Sequence, residues 1–83
     1  MNNIFSLSIY SQEKIVYAGD VVSLIAPAES GYLGVLAHHA PLIANLVPGK
    51  IMIKDKEGNS NMVELKSHGF LEVLRNTATI LLT

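Results

Sequence analysis

The sequence predicts an all-β fold: one small β-sandwich or flattened barrel of about ten short, mostly antiparallel strands. Three observations predict it. Apolar residues recur at every second position, as in Phe5, Leu7 and Ile9 and again in Ile51 and Ile53. That is the period of a strand with one buried face. Helical periodicity has one candidate window, residues 61–74, but Gly69 sits inside it and alternation fits better. Turn-forming residues also fall at short, regular intervals, the rhythm of a sandwich or barrel.

The elements follow in order. Residues 5–10 form a half-buried strand, with Ser6, Ser8 and Tyr10 outward. Ile15-Val16-Tyr17 is a short β-branched and aromatic run, and Gly19-Asp20 reads as a turn. Residues 21–26 make the next strand, which Pro27 ends at an edge or corner. Ala28-Glu29-Ser30-Gly31 reads as a loop, followed by strands at 32–36 and 42–46. Pro48-Gly49 suggests a type II turn, because glycine tolerates the positive φ required at its third position. Residues 50–54 and 62–66 alternate on either side of a polar hairpin tip, residues 55–61. His68-Gly69 marks a bulge or corner. Residues 70–74 and 77–82 are the last strands, joined by a tight turn at Arg75-Asn76. Leu33, Val35 and Ile43 are expected in the core, and Tyr32 and Leu42 at a contact surface.

Eighty-three residues make one domain, residues 1–83, and a chain this short buries only roughly 60% of its unfolded surface. Its composition is 49% hydrophobic with mean hydropathy +0.36, so an exposed apolar patch is expected. Six basic residues against seven acidic ones, with no basic run, supply no footprint for nucleic acid. Cysteine is absent, which excludes disulfides and thiolate metal sites. The N-terminus lacks the positive region of a signal peptide. Apolar runs are a few residues long, against the ~20 that span a bilayer. Any membrane association is therefore expected through a protein partner.

Chemistry-bearing constellations are sparse. Most of the seven acids lie in turns or at outward strand positions, and nothing specifies a pair set across a cleft. Ser8, Ser11 and Ser67 have no nucleophile-elbow context. Gly31-x-x-Gly34 has no helix after it to bind phosphate. His38, His39 and His68 could form a three-nitrogen metal site if the corner at Pro41 kinks, so a small metal-dependent enzyme stays open as one reading. A stand-alone ligand-binding β-domain is another, disfavoured by an interior of Ile, Leu and Val with no polar group to orient a ligand. What stands out is a surface: Gly31, Gly34, Pro41 and Pro48-Gly49 fix turns around Tyr32, Leu33, Leu42 and Ile43. Rigid turns presenting a tyrosine and aliphatics suit a protein interface.

Five pieces in order resemble the N-terminal β-sandwich domain of the F-type ATP synthase epsilon subunit. They are the first strand at 4–10; Val16-Tyr17-Ala18-Gly19; Glu29-x-Gly31-x-x-Gly34-Val35-Leu36 with His39-Ala40-Pro41-Leu42-Ile43; Leu46-x-Pro48-Gly49; and Gly69-Phe70-Leu71-Glu72-Val73. Two places depart from the family pattern. Ala37-His38-His39-Ala40-Pro41 stands where the family usually has Pro-Gly-His-Ala-Pro, and Ser67-His68-Gly69 where it has Ser-Gly-Gly. If either glycine supplied a positive φ, its corner is rebuilt or strained here.

The resemblance implies a non-catalytic rotor subunit, without cofactor or metal, at the foot of the central stalk. It would couple proton-driven rotation of the c-subunit ring to the gamma subunit for ATP synthesis. Residues placed like Ser11, His39, Leu42 and Ile43 face gamma in the family, and residues placed like Glu29, Gly31 and Tyr32 face the polar loops of the c-ring. The implied location is the cytoplasmic face of a bacterial plasma membrane, peripheral and not inserted. The sequence stops at Thr83, where many members continue into two helices. A short form lacking that hairpin is expected, and with it no nucleotide binding by that route.

Overall fold

The computed structural model describes residues 3–83; Met1 and Asn2 of the N-terminal reading lie outside the described residues. The described residues form eight strands, two fewer than expected. They are β1 (Phe5–Tyr10), β2 (Ile15–Ala28), β3 (Gly31–Leu36), β4 (Leu42–Leu46), β5 (Gly49–Asp55), β6 (Ser60–Leu65), β7 (Gly69–Leu74) and β8 (Thr77–Leu82). Every strand the periodicity marked is present, and the all-β expectation holds.

The strand count falls because Gly19-Asp20 does not turn. It runs straight through β2, with Gly19 opposite Leu7 and Asp20 opposite Ser6 on β1. A register shift between Val21 and Ser23 replaces the expected turn. The extra residue moves the buried positions from Val21 to Leu24 and Ala26, so one strand bends and serves two layers. Pro27 does not end it either, since the strand continues to Ala28. The Pro27 carbonyl still has a partner, accepting from the Val47 N–H at 2.8 Å.

The first half of β2 joins a layer of β1, β8, β7 and β4, and its second half lies between β3 and β5, with β6 outermost. Ala28 pairs with Leu46 of β4. The path β1–β8–β7–β4–β2–β1 therefore closes on itself, a flattened barrel. All pairings are antiparallel except β1 with β8. The inward residues of both layers, among them Leu7, Ile9, Leu24, Leu46, Ile51, Leu71 and Ile80, are completely or almost completely buried. Each side chain of that kind contributes about 1.5–3 kcal/mol by leaving water.

The turns correct the sequence reading in places. Glu29-Ser30 is a two-residue connection with Gly31 at φ 128° opening β3. Gly58 turns the β5–β6 hairpin at φ 88°, and Asp55 Oδ1 accepts from the N–H groups of Glu57 and Asn59 at 3.0 and 2.9 Å. Arg75 and Asn76 both lie in the left-handed region, φ 52° and 58°, the signature of a type I′ hairpin. Gly49 is not among the positive-φ residues, so the type II reading of Pro48-Gly49 fails. Glycine is required there by space, because a Cβ would lie 2.8 Å from Pro27 Cβ and 3.0 Å from Tyr32 Oη.

Candidate interaction surface

The segment from 37 to 43 crosses from β3 in one layer to β4 in the other. Ala37 and His38 make the corner, and His38 adopts φ 63°. Of the two outcomes expected where histidine replaces the family's glycine, a rebuilt or a strained corner, His38 shows the second. His68 is not among the positive-φ residues, so the parallel expectation there fails. Asn76 holds the His38 corner from the opposite hairpin. Its Oδ1 accepts from the His38 N–H at 2.7 Å, and its Nδ2 donates to the Ile4 carbonyl at 2.9 Å. The Asn76 carbonyl also accepts from the Ser6 N–H at 3.3 Å.

After this corner the His39 N–H closes a turn on the Leu36 carbonyl at 3.2 Å. His39 Nδ1 lies 2.7 Å from the Ala40 carbonyl oxygen. Since that oxygen only accepts, Nδ1 carries the proton, and in the neutral ring Nε2 is left as an acceptor. Pro41, Leu42 and Ile43 then line a shallow groove of about 420 Å³ with Glu72, Val73 and Leu74 of β7.

The roles of Leu42 and Ile43 are the reverse of the sequence expectation. Leu42 is half-buried and packs on the core, whereas Ile43 is 66% exposed. The parity of β4 decides this, because Leu46 points inward, and Ala44 and Leu42 share its face. Val35 is buried and Leu33 packs on the core, as expected. Tyr32 is 59% exposed; its ring spans Pro27 to reach β5, where its hydroxyl accepts from the Lys50 N–H at 3.3 Å.

The sequence-expected site residues fall in three places. Glu29, Gly31 and Tyr32 cluster at the β2–β3 hairpin, which is tied to β4 by Glu29 N–H to the Asn45 carbonyl at 3.2 Å and Asn45 Nδ2 to Glu29 Oε1 at 3.5 Å. His39, Leu42 and Ile43 sit at the other end of β4. Ser11 lies apart from them, after β1, where its hydroxyl accepts from the Lys14 N–H at 3.2 Å.

A feature missed at residue level links Ser11 to Ile43. On the outer face of the first layer, Tyr10, Leu81, Phe70 and Asn45 stand opposite one another across β1, β8, β7 and β4. Tyr10 is 38%, Leu81 49% and Phe70 37% exposed. Ile43 follows Asn45 on the same face. The outer face of the second layer carries a similar row, Ile25, Met52 and Met62, lining a groove of about 360 Å³. These rows are the exposed apolar surface anticipated from composition. Cross-strand register assembles them, and no local motif marks it.

The metal reading fails. Among the described residues no three His, Cys, Asp or Glu side chains are placed to hold an ion. His68 precedes β7, while His38 and His39 lie near its far end beside the β7–β8 turn. The His68 carbonyl is instead taken by Thr83, through its N–H at 3.0 Å and its hydroxyl at 2.9 Å. The Tyr17 phenol is pushed above its ordinary value by burial and, secondarily, by Asp55 and Glu57. No helix of the described residues is long and apolar enough to cross a membrane.

Comparison with known proteins adds sequence and shape. The profile of the family described as "ATP synthase, Delta/Epsilon chain, beta-sandwich domain" matches residues 4–83. A protein of Protochlamydia amoebophila named ATP synthase epsilon chain is 44% identical over 78 residues, covering 94% of this chain and 52% of that one. Its namesake in Dichelobacter nodosus is 39% identical over 81 residues, covering 98% and 56%. This chain thus spans about half the length of the relatives it matches. In shape it is similar to a chain of the Euglena gracilis mitochondrial ATP synthase, solved as OSCP/F1/c-ring, with TM-score 0.90 at 21% identity over 99% of this chain and 52% of that one. A chain of the Tetrahymena thermophila mitochondrial ATP synthase central stalk and c-ring gives TM-score 0.74 at 17% identity over 92% and 60%. At these identities the two structures establish the fold alone.

Proposed function

This chain belongs to the ATP synthase delta/epsilon-chain β-sandwich family, and from that premise we propose that it works as a non-catalytic rotor element of an F-type ATP synthase. In this reading it passes proton-driven rotation of the c-ring to the gamma subunit for ATP synthesis. The observation that carries the reading is the family match over residues 4–83, and the names of the relatives and the complexes holding the similar chains support it. The location that goes with it is the cytoplasmic face of a bacterial plasma membrane, held there through the c-ring.

The gamma contact in this proposal is the outer face of β1, β8, β7 and β4. It begins at Ser11, passes over Tyr10, Leu81 and Phe70, and ends at Ile43, the groove beside Leu42 and the His39 corner. An apolar strip of Tyr10, Leu81 and Phe70, with Asn45 and Glu72 between it and Ile43, has the composition of an interface centre and rim. The c-ring contact is the hairpin of Glu29, Gly31 and Tyr32, which the Glu29–Asn45 bonds tie to the same layer. A closed, close-packed barrel suits torque transmission because such interiors deform little.

The test is size-exclusion chromatography of this chain with the gamma subunit of the same organism. Co-elution at micromolar concentration is expected, and its absence defeats the rotor reading. Ile43→Asp is expected to weaken gamma binding by roughly tenfold or more, with little change in melting because Ile43 is 66% exposed. Unchanged affinity would remove Ile43 from the contact.

A further inference from the structure

Glu72 is the one charged residue in the four strands β1, β8, β7 and β4. It stands on their outer face, exposed, between Phe70 and Leu74 along β7. Across the sheet Ile43 lies opposite it on β4 and Thr79 on β8, with Ser8 of β1 beyond Thr79. Its carboxylate takes no hydrogen bond or ion pair from the described residues, so no partner within the domain accounts for its place. Asp20, at the β2 end of the same layer, differs in this respect: its Oδ1 accepts from the Ser6 hydroxyl at 3.5 Å.

Glu72 also lines the groove of about 420 Å³, whose other lining is Pro41, Leu42, Ile43, Val73 and Leu74. A partner that covered this groove with apolar side chains alone would strand the carboxylate away from water, and a partner acid would repel it. Both are costly, so the complementary group is a cation on an aliphatic stem, the stem lying along the apolar lining. Arginine fits better than lysine. Its planar fork meets a carboxylate through two N–H bonds, and a guanidinium is more weakly hydrated than an ammonium, so it loses less on leaving water. Its remaining N–H donors have acceptors at hand in the hydroxyls of the Thr79–Ser8 row.

We propose that Glu72 is the specificity determinant of this face, and that it takes an arginine guanidinium from the gamma subunit, the arginine's stem lying in the groove over Ile43 and Leu74. The inference rests on the rotor reading and deepens it, by naming the chemical group on the partner that the face selects.

The test measures affinity for the gamma subunit of the same organism by titration calorimetry. Glu72→Gln should bind roughly tenfold more weakly than the parent chain, because the arginine then meets a neutral acceptor. Glu72→Arg should bind roughly 100-fold more weakly, because like charges then face each other. Melting of both variants should match the parent, since the side chain is exposed. The arginines of gamma are then reversed to glutamate one at a time. One of these gamma variants should lose the parent chain and bind Glu72→Arg, because the two charges are exchanged across the same contact. Recovery by that exchange also shows that Glu72→Arg is folded. If the parent chain itself does not bind gamma, the rotor reading fails and this inference with it. If the parent binds but Glu72→Gln and Glu72→Arg bind as tightly, or no single arginine reversal restores Glu72→Arg, the rotor reading stands and the arginine assignment is overturned.

Discussion

Asn76 does more for this fold than its place in a two-residue turn suggests. Its left-handed backbone makes the β7–β8 hairpin, and its side chain binds the His38 N–H and the Ile4 carbonyl. One residue thereby fastens the N-terminus, a hairpin and the corner between layers. Asn76→Ala removes both side-chain bonds and puts a less tolerant residue at φ 58°. Stability is expected to fall by about 2 kcal/mol, lowering the melting temperature by roughly 10 °C; urea unfolding of the variant against the parent checks it. The turn itself was legible in the sequence, since Arg75-Asn76 lies between two alternating runs. The clasp was not, because Asn76 and His38 are 38 positions apart and nothing local links them. His38 shows the opposite case: its replacement of a common glycine left a rebuilt or a strained corner open, and the backbone keeps a positive φ there.

At the scale of elements, alternation located every strand but misjudged where the chain turns. Gly19-Asp20 looks like a turn by composition, yet pairing with β1 on one side keeps both residues extended. A one-residue bulge does the bending instead. The glycines that open β5 and β7 are steric rather than conformational, unlike Gly31 at the start of β3. A Cβ on Gly69 would stand 2.9 Å from the Leu81 carbonyl oxygen, which a backbone cannot easily vacate. Gly69→Ala is therefore expected to cost roughly 1–3 kcal/mol. Gly34→Ala, at an open site without positive φ, should be neutral or stabilising by about 0.5 kcal/mol. Paired denaturant titrations distinguish the two, and equal effects would refute the steric account. The sequence reading placed Gly69 at a corner but held no sign of the carbonyl beside it.

At the scale of the whole molecule, β2 belongs to both layers, and the strand circuit closes through Ala28 and Leu46. Neither layer can separate without breaking β2 pairings. Unfolding in urea should therefore be a single transition, with far-ultraviolet circular dichroism and tyrosine fluorescence coinciding. Two resolved transitions would show that the layers are independent. Closure also sorts the apolar residues. The inward set fills the barrel, and the surplus emerges as two rows on its outer faces, one of which leads from Tyr10 towards Ile43. The candidate site is thus a product of register: the segments that form it were visible, but their placement on faces was not.

The sequence by itself determined the fold class, the strand positions, the family and the segments that bear the candidate contacts. These depend on periodicity, turn chemistry and ordered local motifs, all of which are written within a few residues. Tertiary structure alone decided which of Leu42 and Ile43 faces water, that Ser11 and the His39 corner lie at two ends of one largely apolar outer face, and that the three histidines do not come together. Each of these depends on which strand lies beside which and in what register. A one-residue bulge such as that in β2 reverses facing along everything that follows it in the strand, and local sequence carries no record of that choice.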